Sequence, residues 1–225
     1  RRCDIHDNQM GIMSNGDGTL QAAVDQRIEW CLIHSNGDVG DPGFSHNLYL
    51  GGTSATLIGC EIHSSLVGHN VKSRCHRTLV LACYIHGSAN RECDLVDSKD
   101  TALPESDAIL AGNIIVKSKE CAGNRNVIHF GQDGGKQHDG TLYLIHNTIV
   151  TRFVSPVVHL SDGKARVRLY NNIMWDEAAG QKSQKIVTAP ANTGGIGMVS
   201  GVANWISQGF AGSAAELKEL QQTFV

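Results

Sequence analysis

A four-residue pattern recurs along the chain and constrains its fold more than any other feature. Cys-x-Ile-His occurs at residues 3–6, 31–34, 60–63 and 83–86. Copies with asparagine in the cysteine position follow at 113–116, 147–150, 172–175 and, less closely, 204–207. Successive copies begin 23 to 34 residues apart, a repeat length typical of solenoid proteins. A solenoid is therefore the first expectation.

Each repeat also contains two segments that predict strands. One precedes the motif, as at 56–59, 78–82 and 141–145, and the other lies in mid-repeat, as at 47–50, 70–73, 94–97 and 126–129. Such short apolar segments between turn residues are typical of strands. The 25 glycines, beside only 4 prolines, suit many tight turns. The sequence thus predicts an all-β protein, a right-handed parallel β-helix of seven or eight rungs.

The two ends of the chain are expected to differ. We assign residues 1–211 to the β-helix. Residues 214–220 are rich in alanine, glutamate, leucine and lysine, which are strong helix formers. Residues 212–225 are therefore predicted to form a short helical cap that covers the last open strand edge.

The cysteine and asparagine column predicts a ladder. Stacked strands lie about 4.8 Å apart, so equivalent residues on successive rungs touch. Asparagines bond along such a stack, and free cysteines pack as small apolar groups. A zinc site is the alternative for Cys-x-x-His, but residues three apart on a strand point to opposite faces. We expect most of the seven cysteines to be buried thiols.

Charge and hydropathy narrow the classes of partner. The net charge is -3, and the sequence has no run of five or six lysines and arginines, so no nucleic-acid partner is expected. No apolar segment approaches the roughly 20 residues needed to cross a bilayer, so no membrane span is expected.

Reactive side chains concentrate in the mid-repeat segments 45–51, 68–74 and 92–98. Aligning these segments pairs His46 with His69, Tyr49 with Lys72, and Asn47 with Asn70 and Asp94. With the apolar residues between them facing inward, these columns are predicted to face outward together, next to Arg74. Strict alternation would turn Asp97, His129 and His159 inward, so either the strand bends there or this register is off by one.

Two segments carry a resemblance to a known group of proteins. Residues 46–49 and 68–74, with the Asn-x-Ile rungs after them, resemble secreted bacterial right-handed β-helix proteins of the polysaccharide lyase group. Val71-Lys72-Ser73 is similar to the V-K-S segment of alginate and chondroitin lyases, whose lysine is a base and whose acid is an arginine one rung later. No arginine lies in register here; the nearest, Arg91, is in a turn.

The resemblance implies β-elimination on an acidic, uronate-containing polysaccharide, and a secreted or periplasmic protein. This chemistry needs a base, a cation for the uronate carboxylate and an acid for the leaving oxygen. Lys72 or Tyr49 would be the base, Arg74 would hold the carboxylate, and His69 or His46 would protonate the leaving oxygen. The candidate substrate-binding residues are His46, Asn47, Asn70, Asp94 and Asp97.

Other readings of the same residues stay open. Ca²⁺ is a possible cofactor, with Glu92, Asp94 and Asp97 as candidate oxygen ligands. Glycoside hydrolysis needs two carboxyl groups roughly 5 to 10 Å apart. Gly68-His69 fits some β-helix hydrolases, but the sequence has no adjacent Asp-Asp pair. A non-catalytic, carbohydrate-binding or adhesive β-helix would use the same patch without cutting.

Overall fold

The computed structural model describes residues 1–14, 23–97, 103–133, 138–152, 155–177, 184–190, 198–211 and 219–221. These residues form short strands, and every strand pairing among them is parallel. The strands are, in chain order, β1 (Asp4–His6), β2 (Ile12–Met13), β3 (Gln26–Glu29), β4 (Leu32–His34), β5 (Leu48–Ile58), β6 (Glu61–His63), β7 (Val71–Leu81), β8 (Tyr84–His86), β9 (Cys93–Val96), β10 (Ala108–Ala111), β11 (Ile114–Val116), β12 (Ile128–Gly131), β13 (Thr141–Ile145), β14 (Thr148–Thr151), β15 (Val158–Leu160), β16 (Arg166–Tyr170), β17 (Ile173–Asp176), β18 (Gln184–Lys185), β19 (Val187–Thr188), β20 (Val199–Val202), β21 (Trp205–Ile206) and β22 (Phe210–Ala211).

All the strands except β18 and β22, which pair with each other in a separate small sheet, stack into three faces. The motif face is one sheet, in the order β1, β4, β6, β8, β11, β14, β17 and β21. The long strands β5 and β7 run through two faces. Their first halves belong to the mid-repeat face with β2, β9, β12, β15 and β19, and their second halves to the pre-motif face with β3, β10, β13, β16 and β20. This topology confirms the predicted parallel β-helix.

The interior is built from columns of apolar side chains, one from each rung. On the motif face, strand pairing stacks Ile5, Ile33, Ile62, Ile85, Ile115, Ile149, Met174 and Ile206 in one column. Ile33, Ile62, Ile85 and Ile115 are fully buried. Burying each such side chain contributes about 1.5–3 kcal/mol, so the repeated isoleucine of the motif is a core residue.

The corner between the pre-motif and motif faces contains the predicted ladder. Residues just before it adopt left-handed backbone, for example Trp30 (φ 56°) and Asn171 (φ 55°), which turns the chain between the two sheets. The ladder consists of Cys31, Cys60, Cys83, Asn113, Asn147, Asn172 and Asn204, all buried. Each asparagine side chain bonds the next rung, as Asn113 Nδ2 does to Asn147 Oδ1 at 2.9 Å. All seven cysteines are free thiols, and only Cys3 is exposed, as expected.

The last described rung ends against the chain's C-terminal segment. The backbone N and Nδ2 of Asn204 donate to the carbonyl of Leu220 at 3.1 and 2.9 Å. Residues 219–221 are helical. The remainder of the predicted cap, 212–218 and 222–225, lies outside the described residues, so the cap stays a prediction. Within the described part of the chain, no helix is both long and apolar enough to span a membrane.

Candidate functional site

The strand register on the mid-repeat face differs from the predicted one. Val71 pairs with Cys93, and Lys72 therefore pairs with Asp94. The predicted alignment placed Asp94 beside Asn70, two residues away. The shift comes from the shorter turn before β9, which sequence alignment alone does not reveal. The true outward column is Tyr49, Lys72, Asp94, His129 and His159.

The asparagines predicted to bind substrate face away from solvent. Asn47 and Asn70 are fully buried at the corner before the mid-repeat face. Asn47 Nδ2 donates to Asn70 Oδ1 at 2.7 Å, and Asn70 Nδ2 donates to Glu92 Oε2 at 2.6 Å. Glu92, also fully buried, lies 3.9 Å from Lys117 Nζ. These residues form a second internal ladder, so the prediction that Asn47 and Asn70 face outward is wrong.

Asp94 is the centre of the polar cluster, although none of its surface is exposed. Its Oδ2 accepts a hydrogen bond from Lys72 Nζ at 3.0 Å and lies 3.4 Å from His69 Nε2. Its Oδ1 accepts from Arg91 Nη1 at 2.9 Å and from His129 Nδ1 at 2.7 Å. Burial alone would raise the pKa of Asp94, but the neighbouring His69, the hydrogen bond from His129 and the positive charges of Lys72 and Arg91 outweigh it and hold the pKa well below its usual range.

His46 and His69 stack beneath this cluster, with ring centroids 4.9 Å apart. Burial is the main cause that lowers the pKa of His46 to about 3 and that of His69 to about 4. Both imidazoles are therefore neutral at pH 7. The backbone N–H of His69 donates to His46 Nδ1, and that of Arg91 donates to His69 Nδ1. The two histidines are thus buried in the β-helix rather than exposed on its outer surface, as had been predicted.

At the exposed edge of the cluster, two cationic side chains contact one carboxylate. Lys72 Nζ and Arg74 Nη2 contact the same atom, Asp133 Oδ2, at 3.0 and 3.1 Å. The Asp133 side chain is 45% exposed, and that of Arg74 is 21% exposed. Burial opposes ionisation of Asp133, but the two cations lower the pKa of its carboxyl. The ring of Tyr49 lies beside both, its centroid 5.8 Å from Lys72 Nζ.

Asp97 holds the loop that carries Asp133. Its Oδ1 accepts from the backbone N of Asp133 at 2.6 Å, and its carbonyl accepts from Arg74 Nη1 at 2.8 Å. Asp97 is buried, so it supports the site from behind. The described part of this loop begins after β12 and ends at Asp133, the residue bound by the two cations.

The other end of the outward column continues to a serine. His129 Nε2 lies 2.7 Å from Ser161 Oγ, while its Nδ1 bonds Asp94. The hydroxyl also bonds the backbone of Gln132, accepting from its N at 2.9 Å and donating to its carbonyl at 2.8 Å. Ser161 directly follows β15 and is partly exposed, whereas His129 is buried.

Carboxylate and histidine groups that could hold a metal ion lie elsewhere. Among the described residues, such groups are Asp4, His6 and His34, and Glu61, His63 and His86, all on the motif face. The four imidazoles stack 4.8–4.9 Å apart with nearly parallel planes. Parallel rings cannot direct their nitrogens to one ion at the required 2.0–2.1 Å without turning. The proposed calcium ligands Glu92, Asp94 and Asp97 form no such group in the described chain.

Four members of the cluster were not selected from the sequence: Arg91, His129, Asp133 and Ser161. Arg91 and Asp133 lie in turns, whose positions depend on loop conformation. His129 carried a signal, because it falls on a mid-repeat strand, but the incorrect register turned it inward.

Comparisons with protein-family models, with curated proteins and with solved structures found no match to this chain.

Proposed function

We propose that this β-helix binds an acidic, uronate-containing polysaccharide on its mid-repeat face and cleaves it by β-elimination. The observation that carries the proposal is the convergence of Lys72 Nζ and Arg74 Nη2 on one oxygen of Asp133. A uronate carboxylate is the same chemical group as the aspartate side chain. Because Asp133 is partly exposed, a sugar carboxylate can take its place between the two cations.

The chemistry assigns different tasks to the outward residues. Lys72 Nζ bonds two carboxylates, those of Asp94 and Asp133. It therefore serves better as a cation for the enolate-like intermediate than as the base. Tyr49, beside both cations, is then the candidate base. This division differs from the base role that the V-K-S resemblance implies for lysine.

Two alternatives use the same groups. Asp94 and Asp133 share the ammonium of Lys72, a spacing suited to the carboxyl pair of a glycoside hydrolase, but Asp94 is fully buried and already bonded on both oxygens. Non-catalytic binding is the stronger second candidate, because Lys72 and Arg74 need only bind the carboxylate. We extend the proposal to a secreted or periplasmic location, where a protein meets such polymers.

The test separates binding from cleavage. Alginate, polygalacturonate and chondroitin are incubated with the protein, with and without Ca²⁺, and unsaturated products are followed by ultraviolet absorbance. Tyr49→Phe should abolish product formation while polymer binding persists. Arg74→Ala should weaken binding about 10- to 100-fold, the effect of losing a charge-assisted hydrogen bond of about 1.5–3 kcal/mol.

Arg77→Ala is the matched control. Arg77 lies on β7 as Arg74 does, but its side chain is 62% exposed and pairs with Glu105 outside the cluster. It should leave binding and cleavage unchanged. Binding of a polymer without formation of products would favour the non-catalytic, adhesive function. Equal binding by the Arg74 and Arg77 variants would refute the carboxylate site. Lys72→Ala is a poorer probe, since it leaves Asp94 buried without its ammonium partner.

A further inference from the structure

We propose that Asp94, His129 and Ser161 form a catalytic relay that hydrolyses short-chain carboxylic esters, with Ser161 as the nucleophile. The three residues come from three successive rungs of the mid-repeat face. Asp94 Oδ1 lies 2.7 Å from His129 Nδ1, and His129 Nε2 lies 2.7 Å from Ser161 Oγ. A carboxylate, an imidazole and a hydroxyl bonded in this order are the parts of a serine hydrolase.

The carboxylate sets the tautomer of the histidine. Asp94 is ionised and only accepts hydrogen bonds, so His129 Nδ1 must carry a proton. In the neutral ring Nε2 is then unprotonated, and it faces the Ser161 hydroxyl as an acceptor. This is the tautomer that a general base needs. Asp94 acts through the imidazole and is a positioning residue.

Asp94 is well suited to that task. It is completely buried; Lys72 Nζ bonds its Oδ2, and Arg91 Nη1 bonds the same Oδ1 that faces His129. A buried carboxylate with fixed partners orients the ring and stabilises the imidazolium that forms when the serine loses its proton. The cluster around Asp94 is thus shared between the proposed uronate site and the relay, but the relay itself does not depend on uronate binding.

Ser161 directly follows β15 and lies next to Gly131 and Gln132. Ser161 is partly exposed, whereas His129 is buried beside it. The nearest residue of the facing loop, Gly131, has φ +134°, and a Cβ there would lie 2.7 Å from Ser161 Oγ. The backbone N–H of Gln132 points at the same oxygen from 2.9 Å. In the proposed reaction this N–H is the candidate donor to the oxyanion formed on the serine.

The reaction needs no cofactor. Ser161 Oγ bonds to the ester carbonyl carbon while its proton passes to His129 Nε2. Collapse of the tetrahedral intermediate breaks the bond to the alcohol, which leaves with that proton. Water, deprotonated by Nε2, then attacks the acyl-serine, and the carboxylic acid departs as the proton returns to Ser161. O-acetyl groups on a polysaccharide are esters of this class.

The structural alternative is that Ser161 only fastens the loop. Its hydroxyl donates to the Gln132 carbonyl at 2.8 Å, and this bond competes with the one to His129. A fastening serine would not react with an electrophile. A nucleophilic serine would, and this difference decides the experiment.

The protein is treated with a fluorophosphonate probe, and the labelled site is mapped by mass spectrometry. Turnover of p-nitrophenyl acetate is measured in parallel. We expect labelling at Ser161, and a loss of turnover of roughly 100-fold or more in Ser161→Ala and in His129→Ala. Far-ultraviolet circular dichroism checks that each variant is folded, and the probe result on the unchanged protein stands even if a variant does not fold.

Ser64→Ala is the matched control, because the Ser64 hydroxyl also touches an imidazole, His63 Nδ1 at 2.9 Å. It should keep the labelling at Ser161 and the turnover. Absence of label at Ser161 on the unchanged protein, or turnover in Ser161→Ala equal to that in Ser64→Ala, would overturn the relay. A Ser161→Ala protein with reduced stability but unaltered turnover would show the fastening role alone.

Discussion

Replacing Asn147 with alanine should strongly destabilise the protein, because this side chain is a central step of the ladder. It is buried and takes part in four side-chain hydrogen bonds. Its Oδ1 accepts from the backbone N and Nδ2 of Asn113 at 3.0 and 2.9 Å. Its Nδ2 donates to the carbonyl of Leu110 at 2.8 Å and to Asn172 Oδ1 at 3.1 Å.

The magnitude follows from the groups left behind. The N–H of Asn113 and the carbonyl of Leu110 lose their side-chain partner in a place that water does not reach. Each unsatisfied buried group costs about 1–3 kcal/mol, so Asn147→Ala should lower the free energy of unfolding by about 2–6 kcal/mol. Domains of this kind have only about 5–15 kcal/mol in total.

Urea unfolding followed by circular dichroism measures the effect, with the slope of the transition compared between variants. Asn124→Ala is the control, since Asn124 is exposed and should change stability by less than about 0.5 kcal/mol. Asn147→Cys should lower stability less than Asn147→Ala does, because Cys83 in the same column accepts the backbone N–H of Cys60 in the preceding rung at 3.4 Å. If Asn147→Ala unfolded at the same urea concentration as Asn124→Ala, the hydrogen bonds of the ladder would contribute nothing measurable to stability.

Two further predictions concern stability. Cys60→Lys should unfold or aggregate the protein, because Cys60 is 1% exposed and an unpaired buried ammonium costs several kcal/mol; a soluble variant with an unchanged melting temperature would contradict this. Stability should also fall as the pH drops from about 6.5 towards 4. The unfolded chain protonates His46 and His69 at their ordinary pKa of 6.5, whereas the folded chain protonates them only at a pKa of about 3 and about 4, so the unfolded chain binds more protons in this range. His46→Gln should reduce that slope by about one proton, or about 1.4 kcal/mol per pH unit, in urea unfolding at several pH values.

The fold could be predicted from the sequence because it depends on short-range repetition. The third residue of each motif, isoleucine in all but one rung and Met174 in that one, faces the interior in every described rung from β4 onward. The cysteine or asparagine two positions before it does so too, and the pattern therefore survives insertions in the loops. Stacking then follows from strand spacing alone. Neither step requires knowledge of how a loop is folded.

The candidate site could be predicted only in part, because it depends on register between rungs. Lys72, Arg74 and Tyr49 lie on the long strands β5 and β7, which pair without a gap over this stretch, so their proximity follows from sequence. The next rung begins after a turn of different length, and an alignment by residue similarity placed Asp94 beside Asn70. The true partner of Asn70 is Glu92, a carboxylate that closes the buried asparagine ladder as another asparagine would.

The incorrect register misplaced Asp94 and also led to its assignment as a simple substrate-binding residue. Beside Asn70 it would have been a single exposed acid, one of several available to a sugar hydroxyl. Beside Lys72 it becomes the acceptor for two cations and a histidine, and it connects Tyr49 at one end of the column to Ser161 at the other. Burying an ionised carboxylate costs free energy, and charged groups with strongly shifted pKa values are concentrated at functional sites. Asp94→Asn should therefore lower both activities proposed for this face, the release of unsaturated products from uronate polymers and the turnover of p-nitrophenyl acetate, and full retention of both would contradict a central role for this carboxylate.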